Sequence, residues 1–564
     1  MLTKDNRSAT GNPMLDQLLG GGFPNGAVIL LAGASGTGKT VLSFEWLFNG
    51  VGMFDENGIY ITFTEPLFKT LKNLEGLEYY SQEAVESERV KILDMRKSFG
   101  EAGLDGGRIL DLIEEEVKKN DARRLIVDSI TAIAYNLENK ARIRKFIFDL
   151  GTMLASLGCT TVLTSEVIGK GYSVYGVEEF ISDGIIQLRQ RDINFQLTRT
   201  LKIVKMRGVE YAPHENSFRI TSSGIKIFPQ LSIPLKYASG TEKVSIGVKG
   251  FDDMTRGGVF RGSSNLVAGA SGTGKSITGL HFIAEGLRLG EPCLLAGFEE
   301  SRDQIIRNAG GFGWDFEEYE NKGLLKIMCS YPSEKYIDEH LLDIRDRVEY
   351  MEVKRVVVDS LSSIGNAFDD GEFRRFVKLL NGYLKSREVT SVFTTATATL
   401  MSVETLTDAH LSTMTDNILL LKYVELGGEV NLMTSVLKTR GDDHSKSLRR
   451  YSITGRGIVV GESFRGYEGV LSGSARKISA TVLEQVRQEF RDNIGPMGEI
   501  EFNRMRDEGS INPEGIAKYV SFLVAEGIID SEKGEIFKRK MESIFGGGVL
   551  SPTGKVADSE LTRK

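Results

Sequence analysis

The stretch Gly33-Ala34-Ser35-Gly36-Thr37-Gly38-Lys39-Thr40 recurs as Gly269-Ala270-Ser271-Gly272-Thr273-Gly274-Lys275-Ser276. Each copy fits the pattern G-x-x-x-x-G-K-[ST], in which backbone N–H groups and the lysine surround nucleotide phosphates and the final hydroxyl binds Mg²⁺. Each copy also lies between a hydrophobic stretch typical of a strand and a stretch typical of a helix. Two nearly identical copies are not expected by chance, so the sequence predicts a tandem nucleoside-triphosphatase.

A carboxylate follows each loop by about ninety residues. Asp128 and Asp359 each end a hydrophobic stretch and are followed by serine. A strand that ends in aspartate is the usual place for the Walker B carboxylate, which binds the water shell of Mg²⁺. The sequence therefore predicts two Mg-ATP sites, in which Thr40 with Asp128 and Ser276 with Asp359 hold the metal.

The duplication extends beyond these motifs. Gly33 and Gly269 are 236 residues apart, Asp128 and Asp359 are 231 apart, and Lys205 and Lys438 are 233 apart. Spacing this constant indicates a duplicated domain. Within the first copy, buried-strand patterns at 27–31, 58–63, 125–127 and 160–163 alternate with helical stretches, which predicts an α/β sheet with helices on both faces.

We therefore predict three domains, at residues 1–234, 235–477 and 478–564. The last belongs to neither copy. Val482, Leu483, Val486 and Phe490 have helical spacing, and Asn512-Pro513-Glu514 is a strong helix start. A small helical domain that ends in a polar tail is expected there, and a cap on the second copy is the alternative.

Composition narrows the class of protein. The chain has 564 residues, of which 41% are hydrophobic and 26% charged, with a formal net charge of −7. An acidic chain does not favour extensive nucleic-acid binding, which needs basic surface. The hydrophobic runs are too short to span a membrane, and the N-terminus does not resemble a signal peptide. The three isolated cysteines are expected to be buried, and the protein to be cytoplasmic.

The two copies differ after their second strand. The second copy has Glu299-Glu300, and the first has Thr64-Glu65. Phosphoryl transfer needs a carboxylate near the γ-phosphate to orient or deprotonate the attacking group. We expect Glu299 and Glu300 to supply it, whereas hydrolysis in the first copy is slower or depends on Glu65 alone.

A basic pair recurs late in each copy, as Lys205 with Arg207 and as Lys438 with Arg440. Cations so far along the chain from their own phosphate loop suit a neighbour's γ-phosphate, as an arginine finger supplied in trans. That role requires a ring of subunits. Surface cations on a strand edge are the alternative.

In the segment just before Gly184 of the first copy and Asn417 of the second, only the second copy has adjacent hydroxyls. It has Ser412-Thr413 where the first has Glu179-Phe180. Acceptor hydroxyls and a complete glutamate pair thus occur together. This combination predicts phosphoryl transfer to protein in the second copy, and simple hydrolysis or nucleotide holding in the first.

These features resemble the KaiC family of RecA-like double-domain ATPases and autokinases, over about residues 8–477. The resemblance rests on both phosphate loops, Glu299-Glu300-Ser301-Arg302, and the run from Thr407 to Asp416. It implies a hexamer of two stacked rings with ATP between subunits. It also implies that Ser412 and Thr413 are autophosphorylated across the interface, with Thr407 as an auxiliary site. Glu299 would be the general base, and Lys438 and Arg440 the neighbour-facing cations.

The chain departs from that family's pattern in two places. Thr64 replaces the first glutamate of the first copy, and a helical segment replaces the C-terminal peptide after Lys477. A clock role is therefore not carried over, and 478–564 is the candidate region for an unknown regulatory partner. Two alternatives stay open: a nucleotide-sensing scaffold without kinase activity, and a DNA-dependent RecA-class ATPase. The scattered cations, including Arg142 and Arg374, argue against the latter.

Overall fold

The computed structural model describes most of the chain. The described residues are 7–96, 106–136, 140–167, 171–173, 179, 182–193, 196–231, 240–397, 411–426, 428–465, 467–471, 476–477, 480–507 and 510–546. The chain divides into two compact units, residues 1–232 with 335–342, and residues 233–334 with 343–564. The predicted boundaries at 234 and 477 remain predictions.

The first repeat alternates strands and helices before a run of strands. Its strands are β1 Arg7–Ser8, β2 Phe23–Pro24, β3 Val28–Ala32, β4 Asn57–Thr62, β5 Val90–Asp94, β6 Ala122–Asp128, β7 Thr160–Ser165, β8 Gly184–Ile193, β9 Gln196–Met206, β10 Glu215–Thr221 and β11 Gly224–Phe228. Its helices are α1 Pro13–Leu18, α2 Lys39–Phe54, α3 Leu67–Leu74, α4 Gln82–Glu86, α5 Gly106–Lys119, α6 Ile130–Asn136 and α7 Lys140–Ser156.

Nine of these strands form one mixed sheet, in the order β11-β10-β9-β8-β3-β7-β6-β4-β5. The strands from β8 to β5 are parallel, and β8 to β11 pair antiparallel. Both faces of the central strand are buried. Ile29 and Leu31 join the core that includes α2, whereas Val28 and Leu30 join the core that includes α5 and α7. This explains why the parallel strands read as continuous hydrophobic runs.

The second repeat has the same succession. Its strands are β12 Lys243–Val244, β13 Val259–Phe260, β14 Ser264–Gly269, β15 Cys293–Gly297, β16 Leu325–Cys329, β17 Arg355–Asp359, β18 Thr390–Ala396, β19 Asn417–Leu426, β20 Glu429–Thr439, β21 Arg449–Thr454, β22 Gly457–Ser463, β23 Tyr467–Glu468 and β24 Arg476–Lys477. Its helices are α8 Lys249–Met254, α9 Lys275–Arg288, α10 Arg302–Gly310, α11 Phe316–Asn321, α12 Ile337–Met351, α13 Leu361–Ala367, α14 Asp370–Ser386 and α15 Leu411–Met414, with a 3₁₀ turn at Pro332–Glu334.

Its nine-stranded sheet has the order β16-β15-β17-β18-β14-β19-β20-β21-β22, which is the first order read from the other edge. The predicted fold class, two tandem RecA-like α/β domains followed by a small helical segment, is confirmed. Cys159 and Cys293 are buried as expected, but the expectation for Cys329 was wrong: it ends edge strand β16 and is exposed. No described helix is both long enough and apolar enough to cross a membrane.

After the second repeat, the described residues 480–507 and 510–546 form four helices: α16 Ala480–Ile494, α17 Pro496–Asp507, α18 Pro513–Ala525 and α19 Ser531–Gly546. The predicted helix start is present, because the Asn512 side chain accepts a hydrogen bond from the Gly515 N–H and Pro513 occupies the first turn. The helices share a core of their own, in which Phe490, Val520 and Phe537 are buried.

Candidate functional site

The two glycine-rich loops occupy the same place in each repeat, between a central strand and the helix that follows it. The first joins β3 to α2 and the second joins β14 to α9. Gly38 and Gly274 precede the helices with φ of 98° and 89°, a conformation that favours glycine. Neither N-cap residue has a side chain that accepts a hydrogen bond, so the first N–H groups of each helix, which face the loop by helix geometry, are not capped there. This is the arrangement that binds phosphate at a helix N-terminus.

The two lysines fold back over their own loops. Lys39 Nζ donates to the carbonyls of Gly33 at 2.7 Å and Ala34 at 2.9 Å, and Lys275 Nζ donates to Ala270 at 2.9 Å. Burial lowers the pKa of both ammonium groups, and the carboxylates of Asp128 and Asp359 oppose that shift. Each cation therefore lies in a partly desolvated position beside the loop, where a phosphate would be its best partner.

Asp128 and Asp359 end strands next to the loops. In the first repeat, Thr40 Oγ1 donates to Asp128 Oδ2 at 3.4 Å and Thr164 Oγ1 donates to Asp128 Oδ1 at 2.7 Å. In the second repeat, Thr394 donates to Asp359. Burial raises the pKa of Asp359, while hydrogen bonds from Ser276 and Thr394 oppose the shift. Each aspartate thus lies beside the hydroxyl that ends its loop, which is a donor set suited to Mg²⁺.

Glu299 follows the last residue of β15, Gly297, by two positions. Gly297 pairs with Asp359 at the end of β17, so Glu299 lies close to Asp359. Its carboxylate accepts hydrogen bonds from the hydroxyls of Ser360 and Ser363, at the start of α13. These two donors fix the orientation of the carboxylate. Glu300 is turned toward α10, where Asn308 Nδ2 donates to it at 3.1 Å. Burial raises the pKa of Glu300, and the charge of Asp359 adds to the shift.

The first repeat lacks this arrangement. Thr64 stands at the place of Glu299, and Ala132 stands at the place of Ser363. The glutamate and one of its two donors are therefore absent together. Glu65 forms an exposed ion pair with Lys69 at 3.3 Å. A second carboxylate, that of Glu166, follows β7. Its negative charge opposes the lowering of the Lys39 pKa by burial.

The predicted acceptor hydroxyls lie at the amino edge of the second sheet, that is, where its parallel strands begin. The phosphate loop lies at the carboxyl edge, where these strands end. Ser412 and Thr413 are in the short helix α15, just before β19. Asp416 bonds to Ser264, the first residue of β14, whereas the phosphate loop follows the last residue of that strand. Strand β14 has six residues with a rise of about 3.3 Å each. The hydroxyls of Ser412 and Thr413 are therefore roughly 20 Å from the phosphate loop of their own repeat. Thr407 lies outside the described residues.

The basic pairs lie at that same distant edge. Lys438 Nζ donates to the carbonyls of Ser412 and Thr415, and Arg440 donates to that of Thr413 at 2.6 Å. Lys205 makes equivalent bonds to the carbonyls of Glu179 and Ser182. Within one chain, these cations hold the segment before β8 or β19 and are remote from their own phosphate loop.

Sequence reasoning missed the side chains that orient the carboxylates. Thr164 and Thr394 contact the aspartates, and Ser360 and Ser363 contact Glu299. The only signal available was that Ser360 directly follows Asp359. Threonine and serine are too common in strands and helix caps for the other three to stand out.

Comparisons with known proteins agree with this geometry. A family model described as "ATPase: KaiC" matches residues 8–232 and 244–464. The chain is 38% identical to the circadian clock oscillator protein KaiC of Nostoc sp., over 85% of this chain and 94% of that protein. It is 37% identical to the protein of that name from Synechococcus elongatus, over 84% of this chain and 93% of that protein.

Proposed function

Because this chain belongs to the KaiC family of ATPases, we propose that it is a Mg-ATP-dependent ATPase whose second repeat also phosphorylates Ser412 or Thr413. The observation that carries the proposal is the oriented carboxylate of Glu299, beside Asp359 and two residues past β15. The first repeat has Thr64 there, and it also lacks adjacent hydroxyls at 179–180.

Substrate binding rests on the loops. The N–H groups at the start of α2 and α9 and the ammonium groups of Lys39 and Lys275 would bind the phosphates of ATP. Thr40 with Asp128, and Ser276 with Asp359, would hold Mg²⁺, whose charge offsets that of the phosphates during transfer. The residues present fit the ion, since Mg²⁺ commonly takes one or two carboxylates and completes its shell with phosphates and water.

In the transfer itself, Glu299 acts as general base. It accepts the proton of the acceptor hydroxyl while the hydroxyl oxygen bonds to the γ-phosphorus. The bond from that phosphorus to the bridging oxygen breaks and leaves ADP. Ser360 and Ser363 keep the carboxylate oriented, because both donate a hydrogen bond to it.

Transfer is proposed to occur between subunits. Ser412 and Thr413 are at the amino edge of the sheet, and the phosphate loop is at its carboxyl edge, roughly 20 Å away by the rise of β14. A hydroxyl cannot attack a γ-phosphate over that distance. A neighbouring copy that presents its amino edge to this loop would bring the hydroxyls, Lys438 and Arg440 to the nucleotide together, and Lys205 with Arg207 would do so for the first repeat.

Such head-to-tail contacts close into rings, and we propose a hexamer of two stacked rings with ATP between subunits. The relatives are named as circadian clock oscillator proteins. For this chain we propose a cytoplasmic signalling or timing regulator whose protein partner contacts residues 478–564.

The first test is phosphate mapping. The full chain is incubated with Mg-ATP, and its peptides are analysed by mass spectrometry. We expect phosphate on Ser412 or Thr413, and Glu299→Gln should slow its appearance by about 100-fold, the usual scale of a lost general base. Thr64→Gln changes the matching position of the first repeat and should leave phosphorylation intact. ATP turnover without phosphate would contradict the kinase and leave an ATPase, and nucleotide binding without turnover would favour the scaffold.

Mixing two variants tests transfer between subunits. Lys275→Ala removes the phosphate-binding lysine, and Ser412→Ala with Thr413→Ala removes the acceptors. Neither protein alone should become phosphorylated, but Lys275→Ala chains should gain phosphate when the two are assembled together. Phosphate on Lys275→Ala chains that does not depend on the second protein would contradict transfer between subunits.

A further inference from the structure

The second repeat contains a cavity of about 510 Å³ between α9, α10 and the carboxyl ends of β15 and β17. Its apolar wall includes Leu280, Leu295 and Phe312. The described loop residues 269–275 are not part of the wall, whereas Ser276 and Asp359, which are proposed to hold Mg²⁺, line it, so the cavity adjoins the place where phosphates are proposed to bind. A mostly apolar cavity of this size with a few converging polar groups is typical of a small-molecule site.

Five polar side chains line the cavity. Ser276, Glu300 and Asp359 lie near one another at the end formed by the carboxyl ends of β15 and β17, and Arg307 and Asn308 line the cavity from α10. Asn308 is already engaged with Glu300. Two carboxylates at this end favour a ligand that donates hydrogen bonds over one that carries negative charge.

The first repeat supplies an internal template for the occupant. At the places of Leu280 and Leu295 it has Phe44 and Tyr60, which stack with ring centroids 4.1 Å apart. Tyr60 is 2% exposed, and its hydroxyl donates to Asp128 Oδ2. Strand register makes the comparison direct, because Tyr60 pairs with Ile126 two residues before Asp128, and Leu295 pairs with Val357 two residues before Asp359.

We propose that the cavity of the second repeat binds a neutral aromatic molecule with a hydrogen-bond donor, of which phenol is the simplest. Its ring lies against Leu280 and Leu295, and its hydroxyl donates to Asp359 as Tyr60 donates to Asp128. The ligand thereby reaches the carboxylate proposed to hold Mg²⁺. In the first repeat the protein itself permanently fills this position.

The test measures the binding of phenol to the full-length chain by ligand-detected saturation-transfer NMR. We expect phenol to bind the wild type and anisole, which keeps the ring but lacks the donor, to bind at least about tenfold more weakly. This readout does not depend on ATP turnover, so it is independent of the proposed function.

Residue swaps between the repeats locate the site. Leu295→Tyr places the side chain of the first repeat in the second and should abolish phenol binding, and Leu280→Phe should weaken it. Tyr60→Leu opens the first repeat, so the double variant Leu295→Tyr with Tyr60→Leu should recover binding. ATP binding and thermal melting verify that each variant is folded. Phenol binding that is unchanged in both folded single variants, equal affinity for anisole, or no binding to the wild type would overturn the proposal.

Discussion

At the scale of single residues, the duplicated chain provides its own comparison, since each repeat holds a different side chain at the same place. Thr64 and Glu299 are one such pair, and they differ in the one property on which base catalysis depends. Glu45 and His281 are another. Both accept a hydrogen bond from the backbone N–H of an equivalent residue, Ile225 at 2.8 Å and Ile458 at 2.9 Å. One repeat uses an acid for this bond and the other uses a base.

Thr64→Glu should accelerate ATP hydrolysis in the first repeat. The substitution restores a carboxylate past β4, although Ala132 supplies no second hydroxyl to orient it. In a Lys275→Ala background, where the second repeat is silenced, we expect phosphate release to rise by about tenfold or more. Thr64→Gln has similar size without the basic group, and an equal rise in that control would contradict the explanation.

Acid should destabilise the second repeat through His281. Burial lowers the pKa of His281 to about 4, whereas an unfolded histidine titrates near 6.5. The neutral ring is thus favoured in the fold, and its contribution is complete above about pH 6.5 and lost as the pH falls toward 4. The expected loss of unfolding free energy is about 2 kcal/mol between pH 7 and pH 5, and about 3 kcal/mol once the histidine is fully protonated. The loss is measured by urea unfolding at pH 7 and at pH 5. Unfolding is monitored by the fluorescence of Trp314 in a Trp46→Phe background.

His281→Gln is the control for that experiment. A glutamine amide oxygen can accept the Ile458 N–H bond but does not titrate. The variant should therefore lose less stability between pH 7 and pH 5 than the parent. An equal loss in both proteins would assign the acid sensitivity to other groups.

At the scale of elements, a buried arginine anchors the strand before each Walker B aspartate. Arg355 is 1% exposed and lies at the start of β17. It donates to Glu291 at 2.5 Å and to the carbonyl of Ser245 at 2.8 Å, and its guanidinium lies over the Phe282 ring. Arg124 makes the equivalent pair with Glu56 at 2.6 Å. The pairs link strand, helix and loop, and so fix the position of the aspartate.

Arg355→Met should cost about 3 kcal/mol of unfolding free energy, because it leaves Glu291 with only the more exposed Arg261 as a partner and removes the donor to the carbonyls of Ser245 and Phe282. The same single-tryptophan background and urea unfolding measure the change. Arg261→Met is a matched control, since Arg261 also contacts Glu291, at 3.2 Å, but is more exposed. We expect that variant to lose about 1 kcal/mol or less, and similar losses in both would contradict a special role for the buried arginine.

At the scale of the whole molecule, the chain consists of parts with separate cores. The repeats each bury both faces of a nine-stranded sheet, and α16 to α19 bury Val486, Phe490 and Phe537 among themselves. A segment with its own core can carry a regulatory contact without disturbing the repeats.

Cutting the chain after residue 479 should therefore leave ATP binding and phosphorylation of the repeats intact, while the isolated segment 480–546 should fold alone. Domains of this length are marginal but often fold independently. Circular dichroism of the segment should give a helical spectrum with a cooperative melt. Loss of ATP binding by the truncated chain, or an unstructured segment, would show that the helices depend on the second repeat.

The sequence by itself determined the fold class, the duplication and the phosphate loops. These depend on local rules: continuous apolar runs for parallel strands, glycines that permit a positive φ at Gly38 and Gly274, and Asn512-Pro513 as a helix start. Each rule acts over a few residues and can therefore be recognised in the sequence. The contrast between Thr64 and Glu299 could also be recognised, because the duplication aligns the two positions.

Only the tertiary structure decided which side chains orient those groups. Ser363 reaches Glu299 across 64 residues, and Tyr60 reaches Asp128 across 68. It also decided that Ser412 and Thr413 lie at the sheet edge opposite their own phosphate loop, and that aromatic rings fill in one repeat a region that is open in the other. These facts depend on strand order and packing between distant segments, and no local pattern in the chain encodes them.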